Sequence, residues 1–438
     1  MKRSIRRRSS RKTVSKKDTR SVIRSSREAK DIGLHSLHKM VPSKTTFYFP
    51  EYQLPSEIAG PWEINKPSLF HTISYLMEKL HHNCYILSIV NKKPTLYKLQ
   101  NSTTSPTLKP YLLSKIDKHL NKTQQENIRS KIKEQKEWRV LQCILKKYST
   151  GEGDGLYKRP YVTFFEEFTL PLPDGLFVLN LTDAVLLRKD HTEPWPMVTG
   201  SKPLGKYDFP TYLPILGGSG HEGYWDIPIP NYDDIQFVMD TNIDDCCTNY
   251  ELDWNEKQTK AIFRGGVTGC GRTSTTNMRI RLAKMKSDLL DVGIVSPHDP
   301  VKQYSLKFDP KDGLGYTFTN IPSADRVPYD EQSTYKYVIH IDGNVAAYRL
   351  LSTMLFGSVI LRVKSGYTLW CDTMLKPYVH YVPINKDLSD LNEIIEWCIK
   401  NDSKCKEIAR QGREMARTML RRDYIEKVFS SLMFTLCK

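Results

Sequence analysis

The second half of the chain alternates short apolar segments with helix-like segments, and this alternation restricts the fold more than any other feature. Strand patterns at 260–266, 335–341 and 358–363 are separated by helix patterns at 273–286 and 345–357. Such alternation is typical of a parallel sheet covered by helices. We therefore expect an α/β, Rossmann-like second half.

The first half has a less regular pattern. Residues 84–90 and 94–100 resemble the strands of a hairpin, and 114–147 has apolar residues at helical spacing. Residues 177–187 are typical of a buried strand that enters a turn. Residues 192–235 are rich in Pro, Gly, Tyr and Trp without a clear period, and such stretches usually line a site.

The chain carries its positive charge mainly at the N-terminus. Of the net charge of +16, residues 1–31 contribute +10 and the other 407 residues only +6. We expect residues 1–40 to be a disordered basic tail, with one domain at 41–235 and a second at 236–438. The tail fits a solubilising or targeting role, or an arm that touches nucleic acid or an acidic surface, and charge alone favours neither. The folded part does not require a nucleic-acid partner.

Composition excludes several classes of protein. Hydrophobic residues make up 39% of the 438, which is enough for a sizeable core. We see no apolar run of about 18 residues, so no membrane span is expected. The nine cysteines include no CxxC pair, and the basic N-terminus has no apolar signal region. We therefore expect a cytoplasmic protein with free thiols and no zinc site.

The first candidate site follows the strand at 335–341. Asp342, Gly343 and Asn344 form a turn before the predicted helix, and the N–H groups of Val345, Ala346 and Ala347 could hold a phosphate. Arg349 lies one turn further, in an otherwise apolar helix. It is either a paired structural arginine or a ligand for a diphosphate.

The second candidate is the glycine-rich stretch 261–279. Gly266, Gly271, Arg272 and Thr273 nearly match a P-loop, but arginine replaces the lysine and is not equivalent to it. Arg264, at the strand end before Gly265 and Gly266, is then the more interesting cation.

Two further segments carry carboxylates. Asp183 ends the apolar strand, where it is either a turn or cap residue or a general base that faces a cleft, and position alone favours the turn. The segment 221–235 combines carboxylates with aromatic residues, which suits sugar binding and equally suits a packed loop.

Several blocks of the chain resemble the CAP10-like glycosyltransferases and occur in the same order as in that family. The family includes protein O-glucosyl- and O-xylosyltransferases. The resemblance covers about 172–420, and the last two blocks are the most specific. The blocks are LPDGLFVLNLTD (172–183), DIPIP (226–230), WNEKQTKAIFRGG (254–266), YKYVIHIDGNVAAYRLLSTMLFGSVILRV (335–363) and LKPYVHYVPINKDLSDL (375–391).

The resemblance implies a GT-B fold, in which two Rossmann-like domains face a cleft. Residues 41–235 would be the acceptor side, and 236–438 would bind a nucleotide sugar, with the last helix crossing back. It implies inversion at the anomeric carbon and no catalytic metal or other cofactor. By motif position, Asp183 matches the catalytic base, and Arg264 and Arg349 match arginines that hold the donor diphosphate. The donor site would also include Gly265, Gly266, Asp342 and residues 343–347.

The expected reaction moves a hexose or pentose from a UDP-sugar, with UDP-glucose as the first choice, to a hydroxyl acceptor on a protein or glycan. The chain lacks the signal, disulfides and KDEL-like end of secreted members, so we expect a cytosolic microbial or viral version whose acceptor differs. Ala347 and Gly266 replace hydroxyl residues of the family and could alter donor choice. The alternatives are a degenerate transferase fold that binds nucleic acid or a virion and, with less support, a P-loop NTPase.

Overall fold

The structure is a computed structural model that describes residues 66–80, 82, 84–100, 116, 118, 120–134, 144–147, 159–248, 250, 252–295, 306–309, 311–316 and 324–437. The predicted basic tail at 1–40, with its proposed partners, lies outside the described residues.

The described strands form two main sheets and two short ribbons. The strands are β1 (Cys84–Val90), β2 (Lys93–Gln100), β3 (Ile144–Lys147), β4 (Gly175–Asn180), β5 (Ile215–Gly217), β6 (Gly220–His221), β7 (Ile227–Pro228), β8 (Gln258–Gly265), β9 (Leu290–Ile294), β10 (Leu306–Asp309), β11 (Gly313–Tyr316), β12 (Tyr335–His340), β13 (Val359–Val363), β14 (Tyr367–Thr368) and β15 (Val382–Ile384).

Helices cover and connect these sheets. The α-helices are α1 (Lys66–Ile73, continued by a π-helix at Ser74–Lys79), α2 (Lys122–Glu134), α3 (Arg159–Glu166), α4 (Pro196–Thr199), α5 (Tyr232–Asp240), α6 (Ile243–Thr248), α7 (Met278–Lys284), α8 (Tyr329–Gln332), α9 (Leu350–Met354), α10 (Leu391–Lys400), α11 (Asp402–Met419) and α12 (Arg422–Leu436). In the described ranges, no helix is long and apolar enough to cross a bilayer.

The first sheet is mixed rather than fully parallel. Its order is β3-β2-β1-β4-β5-β7, in which β3, β2, β1 and β4 pair antiparallel and β4, β5 and β7 pair parallel. Asn91 and Lys92 close the β1–β2 hairpin, and both have positive φ, as a two-residue hairpin turn requires. The long helical region expected at 114–147 is wrong at its end, because among the described residues of this segment the helix spans Lys122–Glu134 and Ile144–Lys147 is a strand.

The second sheet is parallel throughout the described residues, with the order β15-β13-β12-β8-β9. All six residues of the central strand β12 are buried. This burial is expected for a strand that has helices on both faces of its sheet. The parallel half expected from the alternating pattern is therefore present.

The helix expected at 345–357 is shorter than its apolar pattern indicates. It begins at Leu350, and the preceding residues form a loop. The Asp342 carboxylate accepts the Ala347 N–H at 2.9 Å, and the Val345 carbonyl accepts the Gly343 N–H at 3.0 Å. These bonds compete with the first helical turn. The prediction that Val345–Ala347 open a helix is therefore wrong.

Two of the contacts between the halves are a strand pairing and the packing of a helix. In one, β6 pairs with β14, so that His221 lies opposite Tyr367. In the other, the C-terminal helix α12 packs on the first half, where Phe429 lies 5.3 Å from Phe164 between ring centroids. Ser430 also donates to the Pro171 carbonyl at 2.7 Å. These contacts hold the two halves against each other on either side of a cleft.

Candidate active site

A cavity of about 250 Å³ lies where the ends of the two sheets meet. The first half supplies two carboxylates and one tyrosine, and the second half supplies two arginines and two backbone loops. The lining residues are Asp183, Tyr232, Asp233, Gly265, Gly266, Thr268, Arg279, Tyr329 and 343–349. The expected α/β fold of GT-B type, with two halves that face a cleft, is thereby confirmed, except that the first sheet is mixed.

Asp183 lies in a turn that a buried asparagine organises. The side-chain oxygen of Asn180, at the end of β4, accepts the N–H of Thr182 at 3.2 Å and its hydroxyl at 2.7 Å. Its amide group donates to the Ala184 carbonyl at 2.7 Å. Asp183 projects from this turn and is exposed, so its carboxylate can meet a ligand.

Although much of Asp183 is exposed, partial desolvation of its carboxylate at the cavity wall raises the pKa of Asp183, and the nearby Arg279 guanidinium partly opposes this rise. A carboxylate with a raised pKa is a stronger base once it is ionised, which suits proton removal from a hydroxyl group. The site therefore has a group that can act as a general base.

Arg279 connects the loops that follow two neighbouring strands. Its guanidinium donates to the carbonyls of Asp342 (3.0 Å), Gly266 (3.1 Å) and Ile341 (2.9 Å), and to the Thr268 hydroxyl (2.6 Å). Because β8 and β12 are parallel neighbours, their carboxyl ends meet at one edge. Arg279 fixes the distance between the loops at that edge.

The loop 343–347 approaches the β8 loop closely. A Cβ atom on Gly343 would lie 2.5 Å from the Thr268 hydroxyl oxygen, so glycine is needed there. The Ala347 and Gly343 N–H groups are already bonded inside this loop, which makes the predicted phosphate nest smaller than expected. Asp342 does not line the cavity; its carboxylate accepts the Ala347 N–H and the Ser365 hydroxyl and so shapes the loop.

Arg349 immediately precedes α9 and points into the cavity. It donates to the Arg264 carbonyl at 2.7 Å and shares a hydrogen bond with the Tyr329 hydroxyl. Its guanidinium lies 5.3 Å from the centre of the Phe263 ring, and that of Arg279 lies 5.7 Å from it. One aromatic ring therefore supports both cations.

These two arginines lie near carboxylates, those of Asp183 and Asp233, without forming an ion pair with either. Among the described residues neither forms an ion pair, whereas Arg362 pairs with Asp372 at 2.7 Å. Burial and the nearby Arg349 lower the pKa of Arg279 to about 10, and burial also lowers the pKa of Arg349. Buried cations are costly without an anion, so this arrangement favours an anionic ligand.

Arg264 does not reach the cavity, although Gly265 and Gly266 do. Its guanidinium pairs with Asp291 on β9 at 2.5 Å and donates to the Asp325 carbonyl at 3.2 Å. The expectation that its side chain holds a diphosphate is not met by this placement. Arg264 contributes to the site through its carbonyl, which accepts from Arg349.

The stretch that nearly matches a P-loop has a different geometry. Helix α7 begins only at Met278, capped by Asn277, so Thr273 lies five residues before the helix. Arg272 is 4% exposed and packs against Gly315 of β11, away from the cavity. In a P-loop the residue after the cation opens the helix beside the phosphates, and this arrangement is absent between Gly266 and Met278.

Sequence reasoning did not name Thr268, Arg279, Tyr329 and Tyr348 as site residues, and it included Tyr232 and Asp233 only within the segment 221–235. One signal was available for Arg279. It is a cation in the first turn of a capped helix, where the helix dipole disfavours positive charge. Such a residue needs another reason to be there, which the four hydrogen bonds supply. The described residues include no cluster of three or more potential metal ligands.

Comparison with known proteins identifies the family of the chain. The model of "Glycosyl transferase family 90" matches residues 178–438, which is more than half of the chain. Uncharacterized protein 035R of Invertebrate iridescent virus 3 is 36% identical over 276 residues, covering 58% of this chain and 24% of that protein. Human Protein O-glucosyltransferase 3 is 30% identical over 259 residues, covering 57% of this chain and 44% of that protein.

The chain thus spans less than half of the length of these curated relatives. A crystal structure of Anabaena HepE in complex with UDP-glucose matches at 14% identity and a TM-score of 0.28, over 44% of this chain and 53% of that one. A match with so low a TM-score gives no information about the fold of this chain. The resemblance to CAP10-like glycosyltransferases is confirmed by the family match.

Proposed function

We propose that this chain, which belongs to glycosyl transferase family 90, moves a hexose or pentose from a UDP-sugar to a hydroxyl group of a protein or glycan. UDP-glucose is the first donor to test, because one relative is named as a protein O-glucosyltransferase. The sugar, the acceptor and the cytoplasmic location are parts of this proposal.

One observation carries the proposal: a single cavity has carboxylates on one side and, on the other, two arginines that form no ion pair with any described residue. A glycosyl transfer needs a base for the acceptor and a cation for the leaving group. The cavity has both, and they come from different halves of the chain.

In the proposed reaction, Asp183 removes the proton of the acceptor hydroxyl as its oxygen attacks the anomeric carbon. The bond between that carbon and the diphosphate oxygen breaks on the opposite face. The configuration therefore inverts, and the proton ends on Asp183. The raised pKa of Asp183, caused by burial, suits this step.

The leaving diphosphate gains negative charge, and Arg349 and Arg279 lie where they can stabilise it. Charge-assisted hydrogen bonds from guanidinium groups are strong, and these groups are already oriented by Phe263 and by backbone carbonyls. We propose that these two arginines neutralise the diphosphate without a metal ion.

The test is thermal unfolding with UDP, UDP-glucose, UDP-xylose, ADP and ATP, each with magnesium and with EDTA. A ligand at a hundred times its dissociation constant stabilises the folded state by about 2.7 kcal/mol. We expect stabilisation by UDP and at least one UDP-sugar that EDTA does not remove. Stabilisation by ATP with magnesium alone would contradict the proposal and favour an NTPase.

Release of UDP from the stabilising sugar nucleotide is then measured with hydroxyl-bearing acceptors. We expect slow release with water and faster release with the correct acceptor class. Tight binding of UDP-sugars with no release for any acceptor would favour the degenerate-fold alternative.

A further inference from the structure

Two successive carboxylates in the first turn of α5 have opposite surroundings. Asp234 is 2% exposed, and its carboxylate accepts from the side chains of Asn231 (2.7 Å) and Trp370 (2.8 Å). Asp233 instead lines the cavity. The proposed function uses Asp183 and the two arginines, so Asp233 has no role in it.

Asp233 faces charged and titratable groups from several elements. Arg349, before α9, is the cation that attracts it, and Asp183, in the turn after β4, is the carboxylate that repels it. On its own helix, Tyr232 makes a hydrogen bond with its side chain.

Three other titratable groups lie near Asp233. Asp234 is its neighbour in α5, and the phenols of Tyr161 on α3 and Tyr348 before α9 lie near it. Burial raises the pKa of both phenols, so neither carries charge near neutral pH. Burial raises the pKa of Asp234 to about 8, so near neutral pH the charged neighbours that act on Asp233 are Asp183 and Arg349.

Burial, together with Asp183, raises the pKa of Asp233 to about 6, and the Tyr232 hydrogen bond and Arg349 oppose that rise. At neutral pH the donor-free cavity thus holds a mostly ionised carboxylate near Arg349. A diphosphate would compete with this carboxylate for the same guanidinium.

We propose that Asp233 is a positioning residue that attracts Arg349 in the donor-free enzyme and takes up one proton from solvent when a sugar nucleotide binds. This inference rests on the proposed function, because it requires a diphosphate at Arg349. The only covalent change is formation of the Asp233 O–H bond, and the resulting acid can donate to a phosphate oxygen.

The direction in which pH changes donor affinity follows from the charges of Asp233 and the diphosphate. An ionised Asp233 repels the diphosphate and a protonated one does not, so the diphosphate raises the pKa of Asp233 above about 6. Donor affinity is then highest below pH 6 and falls as pH rises, until the pKa of the bound state is passed. Each unit by which binding raises this pKa weakens donor affinity up to tenfold across that range.

One further titratable group near the arginines, His340, is a poor alternative for this titration. His340 on β12 faces Arg362, Arg349 and Arg279, and burial together with these cations lowers its pKa well below the usual value. It stays neutral over the range in question. UDP-glucose is the correct probe because its diphosphate lacks the terminal phosphate group that would itself titrate near pH 6.

The experiment is calorimetric titration of the full chain with UDP-glucose between about pH 5 and about pH 8, in buffers of different ionisation enthalpy. For the wild type we expect proton uptake on binding near neutral pH and an affinity that weakens about tenfold or more as pH rises. Asp233→Asn should bind with little pH dependence and no proton uptake.

The matched control is Asp240→Asn, which removes one exposed carboxylate from the other end of the same helix. It should keep the wild-type slope and proton uptake. A wild type that binds UDP-glucose without proton uptake would overturn this inference and leave the proposed function intact, and this measurement does not depend on any variant. An unchanged slope in Asp233→Asn would also overturn it, whereas no binding at any pH would remove the proposed function itself.

Discussion

The two sides of the cavity hold their charges in different ways. On the side of the second sheet, Arg279 donates four hydrogen bonds, three of them to backbone carbonyls. On the side of the first sheet, Asp183 projects from a turn and is exposed. The cations are therefore rigid and stay positive, whereas the carboxylates can change their protonation.

This difference separates binding from chemistry. A fixed pair of cations is suited to hold a diphosphate, because no reorganisation is needed when the ligand arrives. A carboxylate whose pKa is raised by burial is suited to accept a proton during the reaction. We therefore expect variants of the first side to affect turnover and variants of the second side to affect affinity or stability.

Asp183→Asn should have the largest effect. The amide keeps the size of the side chain but cannot accept the proton, so turnover with UDP-glucose and acceptor should fall by roughly 10²–10⁴. Affinity for UDP-glucose should not weaken, because a negative charge near the diphosphate is removed. Turnover is measured as UDP release, and affinity by calorimetry.

The control is Asp174→Asn. Asp174 is exposed and directly precedes β4, so it lies at the other end of the strand from Asp183. This variant should leave turnover unchanged. If Asp183→Asn keeps turnover within a few-fold of the wild type, Asp183 is not the base and the comparison of the two sides fails.

Arg279→Lys should mainly reduce stability. An ammonium group has three donors and cannot reproduce four bonds in a planar arrangement, so buried carbonyls lose partners. We expect a loss of about 2–4 kcal/mol in the free energy of unfolding, measured by urea titration. An unchanged midpoint would mean that Arg279 does not tie the two loops together.

Arg349→Ala should instead reduce affinity. Loss of a charge-assisted hydrogen bond costs about 1.5–3 kcal/mol, so the dissociation constant of UDP should rise roughly 10- to 100-fold. Removal of an exposed guanidinium on α11, in Arg410→Ala, is the control for net charge and should leave UDP affinity within about twofold. An unchanged affinity for UDP in Arg349→Ala would remove this arginine from the donor site.

The sequence predicted those features of the site that depend on where strands end along the chain. The parallel second sheet, the position of Asp183 after an apolar strand, and the turn at 342–344 after another strand were expected, and Asp183 and residues 343–344 line the same cavity. Apolar periodicity could not show that Asp342 would bond the Ala347 N–H and delay the helix, because this bond depends on a side chain rather than on a pattern.

The local sequence also could not show that Arg264, on β8, lies outside the cavity while Arg279, on α7, lines it. Both are arginines near a glycine-rich strand end, and only the position of β9 decides that Arg264 meets Asp291. Long-range pairing of this kind has no signal in the local sequence. The mixed first sheet was missed for a similar reason, since Ile144–Lys147 becomes a strand only through its pairing with β2.

Arg264→Ala should have the smallest effect on the ligand and is the sharpest test of this assignment. The variant breaks a partly buried ion pair and leaves Asp291 without its guanidinium, so we expect a loss of about 1–2 kcal/mol in the free energy of unfolding. Its backbone carbonyl, which holds Arg349, is retained, so UDP affinity should stay within about twofold. A loss of UDP affinity as large as that of Arg349→Ala, with unchanged stability, would show that Arg264 turns toward the diphosphate when ligand binds and that the second side of the cavity is not preformed.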